Sequence, residues 1–256
     1  LGLNGRAVLP MVLGLGCGTM ATLTARTLET RKERILVTLI LSLAIPCSAQ
    51  LGVIMGMLGG IGFSATMAWL VVIILSGFFV TFLASKAIPG ERSMLIQEIP
   101  PIRIPRIDNI IMKTLARLQW YLKEAVPLFL LGTVILFVLD KSGSLARAEK
   151  IFEPLVVNLL NLPSKVSEAL LVGFLRRDYG AAGLFILRKG GELDNIQTVV
   201  SLVVMTLFVP CVAQLFVAIK ERGLRVALAI FSFTVTFAFI AGGLVNFILR
   251  YFKVAL

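Results

Sequence analysis

Three cysteines, Cys17, Cys47 and Cys211, each lie beside a helix breaker, in the strings Gly16-Cys17-Gly18, Pro46-Cys47 and Pro210-Cys211. Proline has no backbone N–H to donate, so a Pro-Cys pair frees a carbonyl one turn back and sets a thiol next to the gap. Sulfur and carbonyl oxygen together suit a soft or borderline transition metal better than calcium or magnesium. The three cysteines are therefore candidate metal ligands, and Gly16, Pro46 and Pro210 are candidate gate residues. A lone cysteine in apolar sequence is by default a small packing residue. Three out of three beside breakers point the other way, and an odd count argues against a disulfide framework. The chain has no histidine and its acids lie mostly near segment ends. No Ser-His-Asp, paired-carboxylate or hydrolytic zinc constellation is visible, so no catalytic residue is assigned and no bound cofactor is expected.

The Pro-Cys pairs belong to a duplicated string, Pro46-Cys47-Ser48-Ala49-Gln50-Leu51-Gly52-Val53 and Pro210-Cys211-Val212-Ala213-Gln214-Leu215-Phe216-Val217, identical at six of eight positions. Gln50 and Gln214 are the strongly polar side chains of their segments; either they line a cavity or they hydrogen-bond across helices. Asp178, in Arg176-Arg177-Asp178, is a candidate pathway residue. The adjoining arginines either steer a cation or pair with carbonyls, acids or headgroups. Met55, Met57 and Met205 are soft donors in principle and packing residues by default.

What must position these groups is a membrane protein. Apolar residues make up 58% of the 256 and charged residues 15%, with mean hydropathy +0.95, which excludes a soluble domain. Residues 35–85, 195–219 and 226–249 carry no Asp, Glu, Lys or Arg; the first run is long enough for two spans and each of the others for one. The net charge of +11 is interleaved with these runs and not gathered in a patch, so nucleic acid is not an expected partner and membrane lipid is.

The expected fold is all-α and polytopic, an inverted repeat of re-entrant hairpin, Pro-broken helix and helix. Residues 1–34 hold a first gate hairpin, punctuated by Pro10, Gly14, Gly16 and Gly18, and a basic cluster, Arg26, Arg31, Lys32 and Arg34. Residues 35–85 form two spans. Residues 86–124 form a cytoplasmic loop with Pro100, Pro101 and Pro105, then an amphipathic helix lying in the headgroup region. Residues 125–139 are a short span that borrows a turn from the preceding helix, 140–194 a polar connection and a second gate hairpin around Arg176-Arg177-Asp178, and 195–256 two more spans. If both hairpins return to the side they left, the two Pro-Cys spans run antiparallel, the arrangement of many secondary transporters. Placing 26–34 in the cytoplasm puts fourteen of the 25 basic residues on that side. The chain starts at Leu1 without a signal peptide's features and is expected to be a piece of something longer. It contains no Gly-x-x-x-x-Gly-Lys-Ser/Thr string, and it is not expected to be an enzyme.

Several strings resemble one family. Gly14-Leu15-Gly16-Cys17-Gly18, then Ala25-Arg26-Thr27-Leu28-Glu29-Thr30-Arg31-Lys32-Glu33-Arg34, then Pro46-Cys47-Ser48-Ala49 resemble the first gate region of the bacterial ferrous iron transport protein B family. Glu98-Ile99-Pro100-Pro101-Ile102-Arg103-Ile104-Pro105 is similar to its Glu-Leu-Pro-Pro-Tyr-Arg-Leu-Pro loop. Gly173-Phe174-Leu175-Arg176-Arg177-Asp178 with Gly180-Ala181-Ala182-Gly183-Leu184 is similar to its second-gate motif, and Phe208-Val209-Pro210-Cys211-Val212-Ala213 to its second Pro-Cys element. Cys17 is followed by Gly18-Thr19-Met20 where many members have a proline-containing string. The resemblance implies iron(II) as transported substrate, uptake across the bacterial cytoplasmic membrane, and Cys17, Cys47 and Cys211 as metal-handling residues. It also implies a preceding GTP-binding domain, which would bring GTP and Mg2+, and a small cytosolic accessory protein; a homo-oligomer is a candidate assembly, with the oligomeric state left open. The gate architecture resembles that of concentrative nucleoside transporters. Alternatives are a transporter of nucleosides or other small solutes, and a membrane metal sensor or scaffold that moves nothing.

Overall fold

The computed structural model describes residues 3–90, 106–141, 144–208 and 210–251. Among these it holds helices and no strand. A first run comprises α1 (Val8–Gly14), α2 (Gly18–Thr24), α3 (Arg31–Leu43), α4 (Ser48–Gly59) and α5 (Phe63–Ala87). Two connecting helices follow, α6 (Ile107–Lys141) and α7 (Ser144–Leu160). A second run repeats the order of the first: α8 (Lys165–Leu175), α9 (Arg177–Lys189), α10 (Asn195–Phe208), α11 (Val212–Arg222) and α12 (Leu224–Tyr251).

Local chemistry explains most boundaries. Thr30-Arg31-Lys32-Glu33 is a capping box in sequence, and the Thr30 hydroxyl accepts from the Glu33 N–H at 3.3 Å, which starts α3. Helix α3 stops at Leu43 because the residue before a proline is pushed out of the helical region and Pro46 cannot donate. Gly223, at φ +87°, turns α11 into α12 in a backbone region that a side chain would strain. Helix α1 has seven residues, a length of about 10 Å at 1.5 Å per residue, far short of the hydrocarbon thickness.

Among the described residues, four segments are long and apolar enough to cross a membrane: Arg31–Gly59, Phe63–Ala87, Asn195–Arg222 and Leu224–Tyr251; the first and third are the Pro-broken pairs α3–α4 and α10–α11. Helix α10 is buried on every side from Thr198 to Phe208, as a central helix must be. Helix α5, in contrast, exposes Leu70, Val71, Ile74, Leu75, Phe78 and Phe79, a face for which hydrocarbon is the matching solvent. The chain is an all-α polytopic membrane protein.

Contacts at the two ends fix the relative direction of the runs. Arg26, just before α3, pairs with Glu221 at the end of α11, the Arg222 Nε donates to the Thr38 hydroxyl in α3 at 3.2 Å, and the Lys32 Nζ donates to the Gly90 carbonyl beyond α5 at 3.4 Å. The start of α3 and the end of α11 therefore share one end of the molecule. At another end, Gln197 near the start of α10 donates to the Asn161 carbonyl beyond α7 at 3.0 Å, and Lys165 pairs with Glu192 at 2.5 Å, joining the first residue of α8 to the turn after α9. The broken segments thus run antiparallel, and each hairpin opens toward the start of the broken segment that follows it.

The headgroup helix of 106–124 and the short span of 125–139 are parts of one continuous helix, α6, with Pro127 inside it; a proline costs that helix one hydrogen bond without ending it. Its Ile107, Ile110, Ile111, Leu115, Leu118 and Leu122 are exposed. The proline-rich loop up to 105 lies outside the described residues.

Candidate functional site

Each cysteine occupies the residue before a helix, in extended conformation. Cys17 precedes α2 at φ −150°, ψ 116°; Cys47 precedes α4 at φ −76°, ψ 162°; Cys211 precedes α11 at φ −61°, ψ 156°. Their carbonyls open the helices, with Ala21, Leu51 and Leu215 N–H donating at 3.0, 2.8 and 3.0 Å. These helix starts turn unpaired N–H groups and the positive end of the dipole toward the breaks. The second hairpin carries an arginine at its tip: Arg176, at φ −142°, ψ 114°, stands between α8 and α9 as Cys17 stands between α1 and α2.

The hairpin tips and the breaks meet. Ser48, after Cys47, donates its N–H at 3.3 Å and its hydroxyl at 3.1 Å to the Gly16 carbonyl. Gly18 packs so closely on Gln214 that a Cβ there would lie 2.6 Å from Gln214 Oε1. The close approaches recur in the two runs, since a Cβ on Gly14 would lie 2.4 Å from Leu41 Cδ2 and one on Gly173 would lie 2.7 Å from Met205 Sδ. Leu41 and Met205 each precede their break proline by five residues.

The two glutamines cross reciprocally. Gln50 Nε2 donates to the Met205 carbonyl at 3.2 Å, and Gln214 Nε2 reaches the Ser42 hydroxyl in a long 3.5 Å contact. Each broken helix is thereby tied to the segment preceding the other's break. Ser42 and Thr206 stand four residues before their prolines and bond back to the Thr38 and Leu202 carbonyls at 2.8 and 2.7 Å. Thr206 also accepts from the Trp69 indole at 3.3 Å. Gln50 is fully buried, and its Oε1 has no hydrogen-bond partner.

Arg177 sits at the centre of this region. Its Nη2 donates to the Ser42 carbonyl at 2.8 Å and its Nη1 to the Ile45 carbonyl at 3.2 Å, with 5% of the residue exposed. The Ser42 carbonyl is the one that Pro46 orphans, four residues on. Arg177 lies within electrostatic reach of both Cys47 and Cys211, and Cys211 within reach of Cys17. Asp178 is held instead by Arg176, at 2.7 and 3.3 Å, and Arg176 stacks on the Tyr179 ring at 4.0 Å.

All three thiols are free and half-buried. Among the described residues no three Cys, Asp or Glu side chains are grouped to hold a metal ion. The structure thus brings Cys17, Cys47, Cys211, Gly16, Pro46, Pro210, Gln50 and Gln214 into one region without a preformed three-ligand cage. Sequence reasoning gave the two arginines of the motif a choice between steering a cation and pairing with carbonyls, acids or headgroups, and Arg177 takes carbonyls. The signal was present in Pro46 itself, since a carbonyl orphaned at membrane depth requires a donor from elsewhere.

A family model described as "Gate: Nucleoside recognition" matches residues 1–61 and 122–225, and one described as "Ferrous iron transport protein B C terminus" matches 66–117. Relatives named "Fe(2+) transporter FeoB" match from Methanocaldococcus jannaschii, 27% identical over 96% of this chain and 42% of the relative, and from Staphylococcus aureus, 24% identical over 86% of this chain and 37% of the relative. A relative of the same name from Escherichia coli is 26% identical over 53% of this chain and 18% of its own length. The chain spans about two-fifths of the length of the first of these relatives. No solved structure matches the chain.

Proposed function

We propose, from the premise that this chain belongs to the ferrous iron transport protein B family and carries its gate segments, that it passes iron(II) across a bacterial cytoplasmic membrane between two inverted gate repeats. The observation that carries the reading is the meeting of both Pro-Cys breaks with both hairpin tips, tied by reciprocal glutamine bonds. Cys17, Cys47 and Cys211 offer sulfur to the ion, and the carbonyls around the breaks replace part of its water shell. The ion is substrate here, so open, loosely grouped ligands suit it: a closed thiolate cage would bind zinc more tightly than iron(II) and would release neither readily. Gly16, Pro46 and Pro210 shape the gates, and Gln50 and Gln214 hold them together. In this reading GTP binding, with its Mg2+, belongs to another domain of the intact protein, and this chain carries no hydrolytic step. A small cytosolic accessory protein and a homo-oligomer complete the proposal.

The test is labelled iron uptake by cells carrying Cys47→Ser or Cys211→Ser in the intact protein. Serine keeps the size and removes the soft donor, so uptake is expected to fall about tenfold or more, a loss of about 1.4 kcal/mol of ion stabilisation. Unchanged uptake in both variants would remove sulfur from the mechanism. The buried, unpartnered Gln50 Oε1 favours a second reading, a nucleoside as the solute. Thermal stabilisation of the intact protein by nucleosides, with none by iron(II), would select that reading.

A further inference from the structure

Building on the iron(II) reading, we infer that Arg177 is a tethered resident cation: it occupies the first break in place of the transported ion and must withdraw before that ion can be bound there. The C-terminal end of a half-helix, with its outward carbonyls and negative dipole end, is where broken transporter helices hold cations. Here that end is α3, and the carbonyls of Ser42, in its last turn, and of Ile45, in the break just beyond it, are both taken by one guanidinium, at 2.8 and 3.2 Å. A divalent ion on the same oxygens would stand within a few ångströms of that guanidinium, in surroundings from which water is largely excluded, and the like charges would repel strongly. The two occupants therefore exclude each other.

The origin of Arg177 gives the exclusion a mechanical sense. It is the first residue of α9 and adjoins Arg176, the extended tip of the second hairpin, whereas the carbonyls belong to the first broken span. A cation from one repeat thus closes the break of the other. The second hairpin is stiff enough to act as a lever, because α8 and α9 touch backbone to backbone: a Cβ on Gly180 would lie 2.4 Å from Gly173 Cα. Arg176 does not share this role, since it holds Asp178 and stacks on Tyr179. When Arg177 leaves, the two carbonyls open beside Cys47, one helical turn before the buried Gln50 whose Oε1 has no partner.

The experiment uses the intact protein in liposomes, as wild type, Arg177→Lys and Arg177→Gln, with two readouts. One is anaerobic iron(II) affinity and uptake, and the other is the rate at which Cys47 and Cys211 react with a small thiol reagent. Removing the resident charge is expected to tighten iron(II) binding about tenfold in Arg177→Gln and to speed thiol modification. Arg177→Lys, which keeps the charge but lacks the planar fork that spans both carbonyls, is expected to fall between. A guanidinium that merely braces the fold would give the opposite sign, with a lower melting temperature and weaker or unchanged iron binding. Uptake by the wild type with affinity unchanged or weakened in both variants overturns the inference and leaves the transport reading standing. Iron moved by no form of the protein, while thiol reactivity still rises from wild type through Lys to Gln, overturns the transport reading and keeps Arg177 as the closing cation. If Arg177→Gln does not fold, the wild type and Arg177→Lys decide by the same two readouts.

Discussion

The two crossing glutamines look equivalent in sequence and differ in energy. Both are buried, but Gln214 is seated on Gly18 and Ser42, whereas Gln50 makes one bond to the Met205 carbonyl and leaves its own Oε1 without a partner. A net hydrogen bond contributes about 1 kcal/mol, and an unsatisfied buried acceptor costs about 1–3 kcal/mol. Methionine nearly matches glutamine in length and volume, so Gln50→Met gives up the first quantity and recovers the second. Its melting temperature in detergent is expected to equal or exceed that of the wild type. Gln214→Met has no such relief and is expected to melt lower. A large drop for Gln50→Met would mean that its Oε1 holds a water or an ion in the folded protein, which fits a pathway residue better than a tie between helices. Of the residues singled out by chemistry alone, Cys47, Cys211 and the two glutamines stand out in the sequence because their signal is local and duplicated. The acceptors of Arg177 were not legible, because they lie 132 and 135 residues away and no spacing rule joins them. Asp178 attracted attention as the acid of its motif, yet its charge is spent on Arg176 beside it.

At the scale of elements, the hairpins and breaks were readable because proline and glycine punctuate them. The continuity of α6 was readable in part, because a run as short as 125–139 must borrow from the helix before it to cross a membrane, although the change from an amphipathic stripe to an unbroken apolar run at about residue 125 resembles a boundary when seen without the backbone. The glycines now allow a graded test. A Cβ on Gly180 would meet backbone, 2.4 Å from Gly173 Cα and 2.6 Å from the Ala169 carbonyl oxygen, and backbone cannot step aside without parting α8 from α9. A Cβ on Gly18 would meet the far end of the Gln214 side chain, which can rotate at the expense of its contact with Ser42. A Cβ on Gly56, inside α4, would meet nothing within 4 Å. Gly180→Ala is therefore expected to be the severe change, costing about 1–3 kcal/mol or more from overpacking. Gly18→Ala is expected to be intermediate, and Gly56→Ala neutral or stabilising by up to about 1 kcal/mol, as glycine is a poor helix former. Melting temperatures of the three variants give the ranking directly. Equal effects at Gly180 and Gly56 would mean that the second hairpin is not packed backbone to backbone.

For the whole molecule, the antiparallel course of the two broken segments is the property on which alternating access would depend. It is fixed by a handful of polar contacts at the ends: Arg26 with Glu221, Arg222 with Thr38, and Lys32 with the carbonyl of Gly90. Single polar contacts of this kind contribute about 1 kcal/mol each, so their value as evidence lies in proximity and not in energy. They place the end of α11 beside the start of α3, and the basic residues gathered there are those the charge rule assigns to the cytoplasm. It follows that the turn after α4 and the turn after α11, which occupy the same place in their respective runs, face opposite sides of the membrane. Gly60, in the first turn, is exposed and has room for a side chain, and Leu224, at the second, is 57% exposed. In intact protein whose three native cysteines are replaced by alanine, an impermeant maleimide added outside whole cells is expected to label Gly60→Cys and to spare Leu224→Cys. Permeabilised cells should show both labelled. Labelling of both from outside would make the repeats parallel in the membrane, and two parallel half-helices could not present their breaks to opposite faces in turn, so the gate mechanism would fail with the topology.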